Sequence, residues 1–261
     1  MFGEEFYAPE IDEICVASKT LLFEDYLECR SFNLTVEMFY NNGIFEDLVK
    51  LLKSHGLKIS LFVKEIHNEV KKSNKLLELY DNFLKETKEL YNSREEVEEI
   101  LKNKEILRKY ISTEMGNNEQ LVYKSIGILE MMEEIHKVAF SVAKKMLVPK
   151  MKLNGEMNKF FDEFEAFSLL QKKDMFSTDK INKEIFHYDF IKLFKSNFEK
   201  DVAEVYNPKG IKFEFIHTQK QKEVINDYFN IYGDSKNGLA YILGIPYKKN
   251  MSRKANYAIA V

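Results

Sequence analysis

Glu133 and His136, three residues apart, and Glu184 and His187, spaced alike, are the side chains in this sequence whose types and spacing suggest metal chemistry. In di-iron carboxylate bundles, two such Glu-x-x-His pairs join a glutamate from each of two further helices to hold the metal ions. The first pair lies in a run of helical period and meets that geometry. The second lies where Phe186, Tyr188 and Phe190 alternate, so on a strand Glu184 and His187 would point to opposite faces and could not share an ion. With 5 histidines in a Glu-rich chain such pairs arise by chance, and no metal site is expected. His55, His67 and His217 stand singly near helix or strand ends, where a surface or capping role is the simpler reading. Cys15 and Cys29 are read as small buried hydrophobes in a reducing compartment, neither ligands nor a disulfide. The sequence contains no H-E-x-x-H, phosphate-cradling glycine loop or G-x-S-x-G.

The elements that must position these groups are expected to be mainly helical. Only 4 prolines and 10 glycines interrupt the chain, and 21 phenylalanines and 14 tyrosines are ample for a core. Ile11, Ile14 and Val16 predict a short buried strand, bounded by Ser18, Lys19 and Thr20. The helix after it has Leu22, Tyr26, Cys29, Phe32, Val36, Phe39 and Tyr40 at spacings of three and four as its apolar face, and Gly43 as its stop. Strand into helix is a βα unit, which needs parallel neighbours and covering helices. The next strong strand signal is Ile211 to His217, so the unit reads as the end of a larger sheet or barrel.

Further helices are expected over 44–54 and 60–72, then over 76–91 and, from a capping box at Ser93, to about Tyr110, the last two as an antiparallel hairpin. The longest helix is expected from Asn118 to Val148. Another, with Met157, Phe160, Phe161, Phe164, Phe167 and Leu170 on one face, ends near Lys172, and a phenylalanine stripe at that spacing is core far more often than a cofactor site. In the last third, Ile211, Phe213 and Phe215 alternate as Phe186 and Tyr188 do, and the two strands are expected to pair. A helix with a capping box at Thr218 stops at Gly233, and a short one covers Ser235 to Leu243.

A net charge of -3 supplies no global basic field for nucleic acid. No apolar run reaches the ~18 residues of a membrane span, and MFGEEFYAPE has neither a basic nor an apolar signal region, so a cytoplasmic protein without membrane or nucleic-acid partners is expected. Residues 1–30 are acidic, whereas Lys248, Lys249, Arg253 and Lys254 form an acid-free basic tail; both are read as solvated ends.

Thr20 to Tyr26 reads T-x-x-x-E-D-Y, and Arg30 to Gly43 reads R-x-F-x-L-x-V-E-x-F-Y-N-x-G. Behind a strand, these motifs resemble the close of the catalytic core in cobalamin-binding radical S-adenosylmethionine enzymes. The likeness continues through Tyr188 to Phe194, the strand and helix from Ile211 to Tyr232, and the basic tail. It implies that residues 1–55 are the last βα unit or units of an incomplete α/β barrel, and residues 56–261 a C-terminal, mainly helical domain with a small β element. It sets Ser18, Lys19 and Thr20 at the rim of the barrel, where the βα loops open, as cofactor-binding groups; without it they merely join strand to helix and help cap it.

For the full-length family the resemblance implies S-adenosylmethionine, a [4Fe-4S] cluster and cobalamin. The cluster is held by C-x-x-x-C-x-x-C, which this sequence lacks, so no cofactor is expected in this chain. The chain is then expected to be the substrate-side, C-terminal portion of such an enzyme, not catalytic alone, with the remainder of the enzyme as partner and a small-molecule substrate that the sequence does not specify. A reading of another class is a helical protein-interaction module, whose apolar faces over residues 76–172 serve a partner.

Overall fold

The computed structural model describes residues 10–112, 118–150, 155–244 and 251–258. The fold is mainly helical with one small antiparallel sheet. The expected βα unit is not there. Residues 10–22 carry no regular secondary structure, and Ile14, placed in a buried strand by its sequence, is 56% exposed. A β-branched run becomes a strand only where another strand accepts its backbone hydrogen bonds, and the sheet of the described residues is built elsewhere.

Helix α1 (Phe23–Val36) follows and continues into a π-helical turn (Glu37–Asn41). The face α1 buries is not the apolar stripe. Ser31, Leu34 and Thr35, with Met38 of the turn, face inward, while Leu22, Cys29 and Tyr40 are exposed, Phe32 is exposed with one ring edge against His67, and Tyr26 and Val36 are half-buried. Of the predicted stripe only Phe39 is fully buried. The cysteine expectation is corrected with it, since Cys15 and Cys29 are both exposed. Inside, Thr35 Oγ1 meets His67 Nδ1 and the Tyr80 hydroxyl, each at 2.8 Å, so a polar centre replaces the expected apolar one.

Helices α2 (Glu46–Ser54), α3 (Ile59–Val70) and α4 (Asn74–Thr87) come next, close to their expected bounds. The helix after Ser93 is two short pieces, α5 (Arg94–Leu101) and α6 (Lys104–Ile111), because Asn103 accepts the Glu105 N–H at 2.9 Å and opens a new helix. Neither piece buries a residue, and α4 packs instead on α1 and α7 (Glu119–Glu130). The expected longest helix likewise breaks. Met131, at φ -122° and ψ 25°, leaves the helical region and separates α7 from α8 (Met132–Leu147). Gly127 brings α7 against Met38, whose Sδ would lie 2.9 Å from a Cβ at that position.

Helix α9 (Gly155–Lys172) lays its phenylalanines against the sheet. Strand β1 (Asn182–Tyr188) leads to the short α10 (Phe190–Lys195), so the alternating stretch is a strand that turns to helix at Asp189, whose Oδ1 caps the Lys192 N–H at 3.0 Å. β1 pairs antiparallel with β2 (Tyr206–Ile216), Asn182 opposite Phe215 and Phe186 opposite Ile211; the register then jumps to Tyr188 opposite Tyr206, so the stretch with Pro208 and Gly210 bulges out. Phe167 touches the rings of Phe186, Phe190, Phe213 and Phe215 at 4.8–5.4 Å between centroids. The apolar faces of α4, α8 and α9 thus close on each other and on the sheet in one core.

Helix α11 (Gln219–Tyr232) begins in the predicted Thr218 and Gln221 capping box and stops at Gly233, φ 73°. Helix α12 (Lys236–Gly244) then packs on α7. A third strand, β3 (Lys254–Tyr257), pairs antiparallel with β2 and was not foreseen. It draws the basic tail inward: Arg253, expected in solvent, is 2% exposed, while Lys248 and Lys249 lie outside the described residues. No helix among the described residues is long and apolar enough to cross a membrane.

Candidate functional site

A cavity of about 110 Å³ lies between the start of α2, the end of α9, α12 and the segment leading into β3. Each wall has a local cause. The π-helical turn ends with Asn42, whose side chain donates to the Met38 carbonyl at 2.5 Å and accepts the Ile44 N–H at 2.8 Å. Gly43, at φ 73°, then turns the chain into α2, so Glu46 and Asp47 occupy its first turn, where the helix dipole favours acids. Lys50, one turn on, lies 3.2 Å from Glu46 and 3.7 Å from Asp47.

The opposite wall is cationic. Lys172 ends α9 and is 7% exposed, its Nζ donating to Ser168 Oγ at 2.9 Å. That hydroxyl is also 3.1 Å from His136 Nε2, and His136 Nδ1 is 2.9 Å from the Met132 carbonyl. A carbonyl only accepts, so Nδ1 carries the proton, Nε2 accepts from Ser168, and Ser168 Oγ accepts from Lys172. The three side chains form one directed relay with every role filled. Burial takes the His136 imidazole down to about 3, helped by the Lys172 charge, and keeps it neutral. Burial also lowers Lys172, against Asp47 and Glu46, which favour its charged form.

Arg253 completes that wall. Its backbone N–H donates to the Gln171 carbonyl at 2.9 Å. Its guanidinium donates to Asn182 Oδ1 at 2.5 Å and to the carbonyls of Lys173 and Asp174, while Nε is buried with no partner among the described residues. Asp174 holds a left-handed backbone, φ 53°, so Arg253 pins the corner between α9 and β1. Ile44, Ile128, Met175 and Leu243, all buried, supply the apolar part of the lining.

The residues singled out from sequence lie elsewhere. Ser18, Lys19 and Thr20 are exposed, in a turn where Ser18 Oγ accepts the N–H groups of Thr20 at 3.3 Å and Leu21 at 3.1 Å. They do not line the cavity. The first Glu-x-x-His pair is split, with His136 inside the core and Glu133 outside, bonded to Lys173 at 2.5 Å. In the second, Glu184 is exposed on β1 while His187 is clamped by Glu163, which accepts from its backbone N–H at 2.6 Å and lies 2.8 Å from Nδ1. His67 and His217, expected at the surface, are buried; His217 Nε2 lies 2.8 Å from the Met251 carbonyl. Sequence reasoning missed Ser168, Lys172 and Arg253. The available signal was Ser168 and Lys172 four apart on a helix otherwise apolar on that side.

Fold and cavity together define a mainly helical protein with a small antiparallel sheet and a partly open cavity of mixed polar and apolar lining at the junction of α2, α9, α12 and the segment leading into β3. Set against family models, curated proteins and solved structures, the chain matches none. The family suggested by the sequence can be tested on the donor set. A [4Fe-4S] cluster takes three or four thiolates, whereas the chain has two cysteines, both exposed, and no group of three His, Cys, Asp or Glu side chains able to hold a metal ion occurs among the described residues. These residues do not fit the cluster.

Proposed function

We propose that this chain is the substrate-side portion of a cobalamin-dependent radical S-adenosylmethionine enzyme, and that it works by seating against the remainder of that enzyme instead of catalysing on its own. One observation carries the reading. The family-like motifs fall on α1, its N-cap and the π-helical turn after it, and of the seven apolar positions expected there to face a core, Leu22, Cys29, Phe32 and Tyr40 are exposed. The β-branched run Ile11 to Val16, joined to it through the Ser18 turn, carries no regular secondary structure. A β-branched run outside any sheet and apolar positions left exposed beside it are what a terminal βα unit would present where the barrel it closes is another polypeptide or another part of the same one. In the assembled enzyme Ser18, Lys19 and Thr20 would stand at the rim of the barrel, with Ser18 already folding the turn that starts α1.

The test begins with the DNA immediately upstream. A C-x-x-x-C-x-x-C sequence encoded in frame or in the adjacent gene is expected, and its product should co-purify with this chain unless Phe32 is changed to Glu. An unrelated upstream gene, with this chain transcribed from its own promoter, would overturn the reading.

A further inference from the structure

Charges in a protein interior are paired or neutralised, because the desolvation cost of an unpaired one is several kcal/mol. Buried Lys124 follows the rule, with Glu37 at 3.3 Å. Lys172 and Arg253 do not. Both are more than nine-tenths buried, and no carboxylate of the described residues is paired with either. The acids across the cavity, Glu46 and Asp47, are held by Lys50, and the Asp174 carboxylate is taken by Lys180. Lys172 uses one of its three donors, on Ser168, and Arg253 meets only neutral oxygens. Two unmatched buried cations therefore share one cavity.

From this we infer that the cavity binds a short aliphatic carboxylate, with its carboxyl group on Lys172 and Arg253 and its hydrocarbon end against Ile128, Met175 and Leu243. Size and lining select the class. At about 110 Å³ the space is smaller than a cavity of about 150 Å³ that admits benzene, which leaves room for a few carbons behind the carboxyl group. A phosphate would present charged oxygens on every side, toward both the apolar residues and Glu46 and Asp47. A carboxylate confines its charge to one end. The Ser168 and His136 relay keeps the Lys172 amine on the cavity wall, since a neutral imidazole fixes the hydroxyl that fixes the amine. The inference stands apart from the proposed family, because it needs only this chain.

The experiment is titration of the full chain by calorimetry and by thermal unfolding with propionate, butyrate, 1-propanol and inorganic phosphate. Propionate or butyrate should bind saturably, near millimolar, and raise the melting temperature, while 1-propanol and phosphate at the same concentrations should not. Lys172→Met keeps the side-chain length and removes the charge; it should fold, as judged by circular dichroism, and weaken carboxylate binding at least about tenfold. Failure of either acid to bind at about 10 mM, equal binding of phosphate or propanol, or undiminished binding by folded Lys172→Met would each overturn the assignment. If the variant does not fold, the four-ligand comparison on the native chain decides alone.

Discussion

Lowering the pH should destabilise this protein well above the range where its carboxylates titrate, and His136 supplies a reason that can be isolated. Its imidazole is fully buried, donates to the Met132 carbonyl and accepts from Ser168, so a second proton has no acceptor waiting. Its proton affinity falls from the ordinary 6.5 to about 3. The unfolded chain then binds a proton below pH 6.5 that the folded chain refuses until about pH 3, so stability is complete above the upper value and drains away as pH falls. Between the two values each pH unit costs about 1.4 kcal/mol, which puts the loss at about 2 kcal/mol by pH 5. His67 and His217 are also lowered by burial and add in the same direction. The assay is urea unfolding followed by circular dichroism at about pH 7 and about pH 5, for the native chain and for His136→Gln, which cannot titrate. The other histidines are common to both, so the difference between the two pH effects isolates His136. An equal fall in both proteins would show that His136 accepts its proton in the folded state and would refute the neutral relay.

Phe167→Ala should cost about 3–5 kcal/mol in the same urea assay, because its ring lies at the contact of α9 with β1, β2 and α10 and nothing beside it can collapse into the space. Thr218→Ala should cost about 1 kcal/mol, since Thr218 Oγ1 accepts the Gln221 N–H and Gln221 reaches back to the Thr218 N–H; a change below a few tenths would mean that the cap is idle. Supplied anaerobically with iron and sulfide, the chain should stay colourless by absorbance. Two irons per chain, lost on changing Glu133 or His136 to Ala, would instead place it among di-iron proteins.

Where one face of an element is buried by neighbours near in sequence, the sequence was a sufficient guide. The phenylalanines of α9 show helical period because α8, α10 and the sheet cover them, and β1 and β2 alternate because α9 and α10 cover the sheet on one side. Breaks were harder to read, because they rest on single residues. Nothing in the apolar period over 118–148 marks Met131, and a helix-favouring run around Asn103 hides an N-cap that works by one side-chain oxygen. Alternation also could not tell where β1 gives way to α10, since Phe190 continues the pattern of Phe186 and Tyr188 while belonging to the helix.

The failure at α1 is of another kind and says more. Periodicity reports which face of a helix is apolar; it does not report what covers that face. On α1 the residues that pack inward include Ser31 and Thr35, and Thr35 is stabilised by His67 and Tyr80, polar partners that no local pattern announces. The cavity was invisible for the same reason. Lys172 looks like a solvated C-terminal lysine and Arg253 like part of a basic tail, until β3 pairs with β2 and carries Arg253 against the carbonyls at the end of α9. A buried cation costs stability wherever it sits, which is why solvent is the place a local pattern assigns to both. The exposed apolar side chains around α1 and the buried cations at the end of α9 thus have one cause: burial is decided by what the rest of the fold brings against a residue, and a local pattern does not carry that.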